Sequence, residues 1–223
     1  MSAPLVLLGT GLSPYAQYPM IVMEEKGVAY EARLVDLANK PQWFVEQVPT
    51  GRVPALRLPD GTMLGESAAI VEYLEEAYEP RLLPPDPVQR ARHRAWTQVA
   101  GETVSGLADV YMAPDAARLA AATDMFARRL AMLDRGLADW PAPAAGRAMT
   151  LADARNAPWT VRYDALVRLG ALPALVADLP RVRDYVGRLR AQPALLRTTP
   201  DGFDALFAAS VRRRGGAIAA AFR

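Results

Sequence analysis

Residues 51–70, GRVPALRLPDGTMLGESAAI, predict a β-hairpin that is followed directly by a helix. Two short apolar segments, 53–58 and 62–64, flank the turn residues 59–61, Pro-Asp-Gly. This is the pattern of two antiparallel strands joined by a tight turn. Residues 67–77 then show the apolar spacing of a helix. The stretch therefore closes a small α/β unit.

The residues before the hairpin predict a β-α-β unit and a short helix. An unbroken apolar run at 5–8 ends at glycine, as a buried strand does. Ser13-Pro14 then supplies an N-cap and a first-turn proline for a helix that ends at Gly27. Alternation over 30–37 predicts a second strand, and 40–47 a short helix. The order β-α-β-α-β-β-α implies a parallel strand pair, a right-handed crossover and an antiparallel edge.

Pro54 stands at the head of the first hairpin strand, where a proline removes one ladder hydrogen bond. Such a residue is tolerated if the peptide bond before it is cis and its backbone faces a ligand. We therefore predict a cis Val53–Pro54 bond beside a binding site.

Nearly all of the second half of the chain has the composition and period of helices, with a break at 139–148. Residues 80–87 contain four prolines and are interpreted as a linker between a domain at 1–79 and a domain at 88–223. Thr150 and Asp153 resemble an N-capping box, so they are expected to be structural. The predicted helices are 88–112, 115–138, 151–169, 173–179 and 181–191.

Composition excludes several classes of function. The 223 residues include 26 basic and 24 acidic side chains, a balance too even to indicate a nucleic-acid or membrane partner. There is no cysteine, so a cysteine nucleophile and a thiolate zinc site are excluded. The one histidine, His93, lies among arginines and is predicted to be exposed, and we expect no metal site. Arg212–Arg214 are interpreted as a solvated tail.

No targeting or membrane-spanning segment is predicted. The first eight residues lack a basic start and a long apolar stretch, so no signal peptide is evident. No apolar run reaches the length of about eighteen residues that a spanning helix needs. We therefore expect a cytoplasmic protein.

A series of short motifs follows one order and spacing along nearly the whole chain. In chain order they are Leu7-Leu8-Gly9, Ser13-Pro14-Tyr15, Glu24–Gly27, Tyr30-Glu31, Trp43-Phe44, Gly51–Leu56, Gly65–Ile70, Tyr73-Leu74, Thr150–Asp153 and Ala157-Pro158. Together they resemble the cytosolic glutathione transferases, with the bacterial serine-type classes as the nearest pattern. The resemblance implies a transferase with a thioredoxin-like α/β N-terminal domain, an all-α C-terminal domain and a homodimeric assembly. In such a dimer each N-terminal domain packs on the helices of the partner.

The resemblance also implies which residues bind glutathione as co-substrate. The Val53 backbone would pair with the cysteinyl group, held by the cis-proline that follows it. Glu66 and Ser67 would receive the γ-glutamyl end, since a helix N-terminus offers free N–H groups to a carboxylate. Lys40 and Arg52 would hold the glycyl carboxylate. Alternatively, Glu66 and Ser67 only begin a helix, and Lys40 and Arg52 are solvated surface charges.

Ser13 occupies the position of the catalytic residue in the serine-type classes, where cysteine-type classes have cysteine. A free thiol has a pKa of about 8.5, so little thiolate exists at neutral pH. A serine hydroxyl at a helix N-terminus can donate to the sulfur while the helix dipole favours its negative charge. The alternative is that Ser13 only caps its helix.

Leu12, Tyr15 and Tyr111 are assigned by the resemblance to the site of a small hydrophobic electrophile. The reaction itself stays open between conjugation, ether cleavage, dehalogenation and isomerisation.

Two pairs of residues depart from the family pattern and leave the subclass and the substrate open. Tyr18-Pro19, together with the arginine-rich tail, also supports a second function. Tyr18-Pro19 stands where a basic residue and valine are usual, and Arg155-Asn156 lies in a usually apolar helix segment. The alternative is a non-catalytic protein of the same fold that binds another protein, as starvation-protein-like relatives do.

Overall fold

The computed structural model describes residues 4–143 and 146–222. Its N-terminal part contains β1 (Leu5–Gly9), α1 (Pro14–Lys26), β2 (Tyr30–Leu34), α2 (Gln42–Gln47), β3 (Ala55–Arg57), β4 (Met63–Gly65) and α3 (Ser67–Ala77). Its C-terminal part contains α4 (Pro87–Tyr111), α5 (Ala116–Gly136), α6 (Leu151–Arg168), α7 (Pro180–Arg190), α8 (Pro193–Thr198) and α9 (Phe203–Arg214). Short 3₁₀ turns lie at Leu137–Asp139 and Ala219–Phe222. The predicted order β-α-β-α-β-β-α is confirmed.

The strands form a mixed sheet in the order β2-β1-β3-β4. β1 pairs in parallel with β2, with Leu7 opposite Ala32, and antiparallel with β3, with Leu7 opposite Leu56. β3 and β4 form the antiparallel hairpin that the Pro-Asp-Gly turn predicts. The hairpin strand that follows Pro54 is therefore central, next to β1.

Helices cover both faces of this sheet. Leu5 and Leu7 of β1 lie in the large core that includes α1, α3 and α6, whereas Val6 and Leu8 pack with Phe44 of α2. Because successive side chains of a strand point to opposite faces, burial on both faces explains why the apolar run of β1 is unbroken. An α/β layer of this kind is the thioredoxin-like arrangement that we expected.

Helix α1 begins and ends where its sequence signals predict. Ser13 is the N-cap, and Gly27 closes the helix in the left-handed region at φ 67°. Pro19 lies inside the helix without ending it. At Gly9, the last residue of β1, an added Cβ atom would lie only 2.9 Å from the Cβ of Ala16 in α1. Glycine at the end of β1 therefore allows α1 to begin close to the sheet.

The C-terminal helices surround α6, which is buried along most of its length. Its predicted capping box is confirmed: the Asp153 amide donates to Thr150 Oγ1, and the Thr150 amide donates to Asp153 Oδ2, both at 2.9 Å. Asp153 also accepts from Trp140 Nε1 and from Arg188, each at 3.0 Å. Asn156, one of the unusual residues, accepts from Trp159 Nε1 inside this buried region.

A buried ion pair fixes the proline-rich segment between α3 and α4. Lys26 Nζ lies 2.7 Å from Glu75 Oε2 and donates to the carbonyls of Tyr78 and Pro80. Glu75 in turn accepts from the amide of Leu82 at 2.8 Å. The predicted linker is therefore held against the N-terminal part, and the exact domain limits stay a prediction.

Two predicted elements, one strand and one helix, differ from the structure. The strand predicted over 30–37 ends at Leu34, where the Val35 amide turns to bond the Gly9 carbonyl, and the strand is an exposed edge. The helix predicted over 173–179 is wrong. Pro173 and Pro180 bound that segment, and it forms turns instead, because proline donates no helical hydrogen bond.

His93 is buried in α4, with 3% of its surface exposed, so the prediction of an exposed histidine is wrong. The residue shares one helix face with Ala100, Val104 and Leu107, which are also buried. The neighbouring arginines had suggested a solvated segment, but Arg92 and Arg94 lie on another face and are exposed.

No helix in the described ranges is long and apolar enough to cross a membrane.

Candidate active site

Two adjoining cavities contain the predicted site residues. The first, here called the cleft cavity, measures about 530 Å³ and lies between the loop before α1, residues 51–53, α4 and α9. The second, the hairpin cavity, measures about 400 Å³ and lies beside β3 and the start of α3. The cleft cavity is lined by Leu12, Ser13, Tyr15, Lys40, Arg52, Val53 and Tyr111 among others. The hairpin cavity is lined by Tyr15, Arg52, Val53, Pro54, Glu66 and Ser67. The predicted residues thus share one continuous region.

Ser13 is half-buried at the N-terminus of α1, on the wall of the cleft cavity. Its Oγ accepts a hydrogen bond of 3.2 Å from the Ala16 amide, and its own amide donates to the Thr10 carbonyl. A hydroxyl can accept and donate at once. The capping bond therefore leaves the Ser13 hydroxyl hydrogen able to donate to a group in the cavity.

The Val53–Pro54 peptide bond is cis, as predicted. It follows a turn at Gly51 and leads into β3, so the Val53 backbone lies where the two cavities meet. Among the described residues, no turn or loop hydrogen bond uses the Val53 amide or carbonyl. Both groups are in a position to pair with an extended ligand.

Glu66 and Ser67 form the start of α3. Glu66 has φ 63° and makes no side-chain capping bond, while Ser67 is the first helical residue and is 7% exposed. The first-turn amides of a helix have no intrahelical partner, so they attract an anion. Ser67 Oγ also accepts a hydrogen bond of 2.9 Å from Nη1 of Arg155, on α6. Sequence analysis did not assign Arg155 to the site.

Lys40 lines the cleft cavity, whereas Arg52 lines both cavities. Both are exposed, and both line the cleft cavity. The Lys40 ammonium lies over Gly51, 3.1 Å from the position that a Cβ would take there. Among the described residues, neither cation is paired with a carboxylate.

The residues that the family resemblance assigns to the electrophile site differ in exposure. Tyr15 is half-buried, its hydroxyl lies 3.3 Å from Ser105 Oγ, and it lines both cavities. Tyr111 reaches the cleft cavity but is only 6% exposed, because its ring packs edge-on against Phe207 at 5.2 Å. Burial raises the pKa of Tyr111, so its phenol is neutral at physiological pH. Leu12 lines the cavity with them.

A fully buried arginine on α6 fixes the loop before Ser13. Arg162 donates to the Leu12 carbonyl at 2.8 Å and to Gln17 Oε1 at 2.9 Å. Burial lowers the pKa of its guanidinium to about 10. The group is still charged at neutral pH, and it ties the loop of the N-terminal part to a helix of the C-terminal part.

Further residues line the cleft cavity that sequence analysis did not assign. α4 contributes Ser105, Ala108 and Asp109, its C-cap residue is Met112, and α9 contributes Phe207, Ser210 and Arg214. On each helix these residues recur three, four or seven positions apart, which is the spacing of one face. For α4 this spacing around Tyr111 could have identified them. For α9 it could not, since no helix is predicted there. Arg214 is thus a wall residue and not part of a free tail.

Within the described ranges, no cluster of three or more histidine, aspartate or glutamate side chains could hold a metal ion.

The fold and site together define a class of protein: a thioredoxin-like domain joined to a helical domain, with a cleft at the N-terminus of α1 beside a cis-proline. Residues 12–77 match the family model described as glutathione S-transferase, N-terminal domain. The matched residues run from the loop before α1 to the end of α3.

Similarity to glutathione transferases extends beyond this domain. Mouse (Mus musculus) glutathione S-transferase omega-1 is 27% identical over 181 residues, which cover 81% of this chain and 74% of the mouse protein. Glutathione transferase Omega 3C from Trametes versicolor is 29% identical, covers 90% of this chain and 91% of its own, and has a TM-score of 0.76. Rice GST1, solved in complex with glutathione, is 25% identical with a TM-score of 0.81, covering 96% of this chain and 99% of its own. The chain is therefore similar to glutathione transferases in fold and in sequence.

Proposed function

We propose that this protein is a glutathione transferase in which Ser13 activates the glutathione thiol for attack on a small hydrophobic electrophile. The observation that carries the proposal is the position of Ser13. Its hydroxyl caps α1 and lines the same cavity as the Val53 backbone and the cations Lys40 and Arg52. The relatives named glutathione S-transferases support the class of reaction.

Glutathione matches the charges along the two cavities. Its glycyl carboxylate would lie against Lys40 and Arg52, which have no carboxylate partner among the described residues. Its cysteinyl group would pair with the Val53 amide and carbonyl, beside Ser13. Its γ-glutamyl carboxylate would lie at the N-terminus of α3, where Ser67 and the free amides offer hydrogen bonds. A cation at one end and a helix N-terminus at the other fit a ligand with two separated carboxylates.

Thiol activation requires a modest free-energy difference. Lowering a thiol pKa by about two units corresponds to about 2.7 kcal/mol of preferential stabilisation of the thiolate. A hydrogen bond from Ser13 to the anionic sulfur is worth about 1.5–3 kcal/mol, and the α1 dipole adds up to about 1 kcal/mol. The thiol proton leaves to solvent, and the thiolate forms the new sulfur–carbon bond as the electrophile accepts the electron pair or releases its leaving group.

The apolar side chains of the cleft cavity suit an apolar electrophile. Leu12, Tyr15, Met112 and Phe207 line the cleft cavity. These side chains can bury a small hydrophobic molecule next to the sulfur, and apolar burial contributes about 25 cal/mol per Å².

The test is the pH dependence of turnover in Ser13→Ala. The variant should bind glutathione nearly as well as the wild type, but turnover should fall about 10-fold or more near pH 6.5. Turnover should recover towards pH 9, because the unassisted thiol ionises near its ordinary pKa of about 8.5. Asp115→Ala is the matched control, since it removes the exposed N-cap bond of α5 away from both cavities. Equal pH profiles for Ser13→Ala and wild type would contradict the proposal.

We also propose a homodimer, which the family resemblance implies. Light scattering that gives the mass of a single 24.2 kDa chain would contradict it.

A further inference from the structure

Arg155 projects from α6 of the helical part onto the start of α3. Its Nη1 donates to Ser67 Oγ at 2.9 Å. Its guanidinium carbon lies 5.0 Å from the ring centroid of Tyr18 and 5.4 Å from that of Tyr15. Tyr18 and Arg155 are residues from the two separate departures from the family pattern, and the structure brings them into contact.

The positive charge of Arg155 is incompletely compensated. The side chain is half-buried, and burial lowers the pKa of its guanidinium below the ordinary arginine value. In the described part of the chain its contacts are the Ser67 hydroxyl and two aromatic faces, with no carboxylate. Aromatic faces compensate a cation only partly. A desolvated cation of this kind favours an incoming anion.

Space for this guanidinium is provided by a glycine. A Cβ atom at Gly101 of α4 would lie 3.3 Å from Arg155 Nε and 3.4 Å from Nη2. Glycine inside a helix costs about 1 kcal/mol relative to alanine. In spite of this cost, Gly101 stands in the middle of α4, where it leaves room for the Arg155 guanidinium to reach Ser67.

We infer that Arg155 is a positioning residue for the γ-glutamyl carboxylate of glutathione, acting through Ser67 from the opposite domain. The inference rests on the proposed function. Ser67 Oγ accepts from Arg155, so the Ser67 hydroxyl hydrogen is directed away from the guanidinium and can donate to a carboxylate in the hairpin cavity. The nearby positive charge attracts the same carboxylate, together with the free amides of α3.

The experiment compares two ligands by calorimetry on the full-length protein. One is reduced glutathione, and the other is γ-aminobutyryl-cysteinyl-glycine, here called the decarboxylated ligand, which is glutathione without the α-carboxylate of its γ-glutamyl group and keeps the amino group. Arg155→Met should weaken glutathione binding about 10-fold and change the affinity for the decarboxylated ligand less than about twofold. Arg155→Lys keeps the positive charge, and its affinity for glutathione should lie between those of the wild type and Arg155→Met.

Two further variants separate positioning from folding. Arg94→Met removes an exposed charge that pairs with Glu72, and it should leave both affinities unchanged. If Arg155 acts through Ser67, the double variant Ser67→Ala/Arg155→Met should bind glutathione about as weakly as Ser67→Ala alone. Thermal unfolding of each variant checks that it is folded.

The outcomes distinguish this inference from the proposed function. Wild-type protein that does not bind glutathione overturns both. Wild-type binding with an unchanged Arg155→Met variant overturns the inference alone, and so does an equal loss of affinity for glutathione and for the decarboxylated ligand.

Discussion

Hydroxyl groups occupy helix N-termini at two points of the site, and in both the oxygen already accepts a hydrogen bond. Ser13 Oγ accepts from the Ala16 amide, and Ser67 Oγ accepts from Arg155. With an accepting position filled, each hydroxyl is oriented to donate. An anionic sulfur near Ser13 and a carboxylate near Ser67 are the partners that such donors favour. At the scale of single residues, we therefore propose that the site binds negative charge.

Single-residue roles could be predicted only in part from the sequence. The motif around Ser13, the proline at 54 and the start of α3 indicate the placement that the structure shows. Arg155 could not be assigned, because its partner Ser67 lies 88 positions earlier in the chain. Contacts of that kind depend on how two domains pack, which local spacing does not encode.

A buried histidine predicts a pH dependence of stability. Burial is the main cause that lowers the pKa of His93, and Arg92 adds to it while Asp153 opposes it. The unfolded chain therefore binds a proton at a higher pH than the folded one, so this contribution to stability is lost as pH falls through about 6.5. Urea unfolding at pH 7 and at pH 5 should show that the free energy of unfolding falls less between these pH values for His93→Gln than for wild type. The two decreases in unfolding free energy should differ by at most about 1.4 kcal/mol per pH unit. Equal decreases for the variant and the wild type would contradict the prediction.

At the scale of elements, helix caps were the most predictable features. Ser13, Gly27 and the Thr150–Asp153 box all have the roles that the sequence indicates. No helix forms at 173–179, where Pro173 and Pro180 bound the apolar segment. Helices α8 and α9 were not predicted, since α8 has only six residues and α9 begins after a glycine with no side-chain cap.

The capping box of α6 predicts a measurable contribution to stability. Thr150→Ala should lower the free energy of unfolding by about 2 kcal/mol, the upper end for a cap, because Thr150 is fully buried and the Asp153 amide would lose its partner. Asp86→Ala, at the exposed N-cap of α4, should cost about 1 kcal/mol or less. Urea denaturation measures both changes. A larger loss of unfolding free energy for Asp86→Ala than for Thr150→Ala would contradict the prediction.

At the scale of the whole molecule, the site depends on both parts of the chain. Arg162 fixes the Leu12 carbonyl before Ser13, and Arg155 reaches Ser67 at the start of α3. Gln17 of α1 donates to Thr199 Oγ1 beyond α8. These polar contacts hold the thioredoxin-like part against the helical part, so the two ends of the binding region keep a fixed separation.

The central claim is that this cleft binds glutathione and ionises its thiol. The direct measurement is a calorimetric titration of the purified protein with reduced glutathione, with the ultraviolet absorbance of the thiolate recorded on the complex. We expect one-site binding and a thiolate band at pH 7 that Ser13→Ala reduces. Absence of binding at millimolar glutathione would contradict the claim and favour a protein-binding role, and binding without a thiolate band would contradict the role of Ser13.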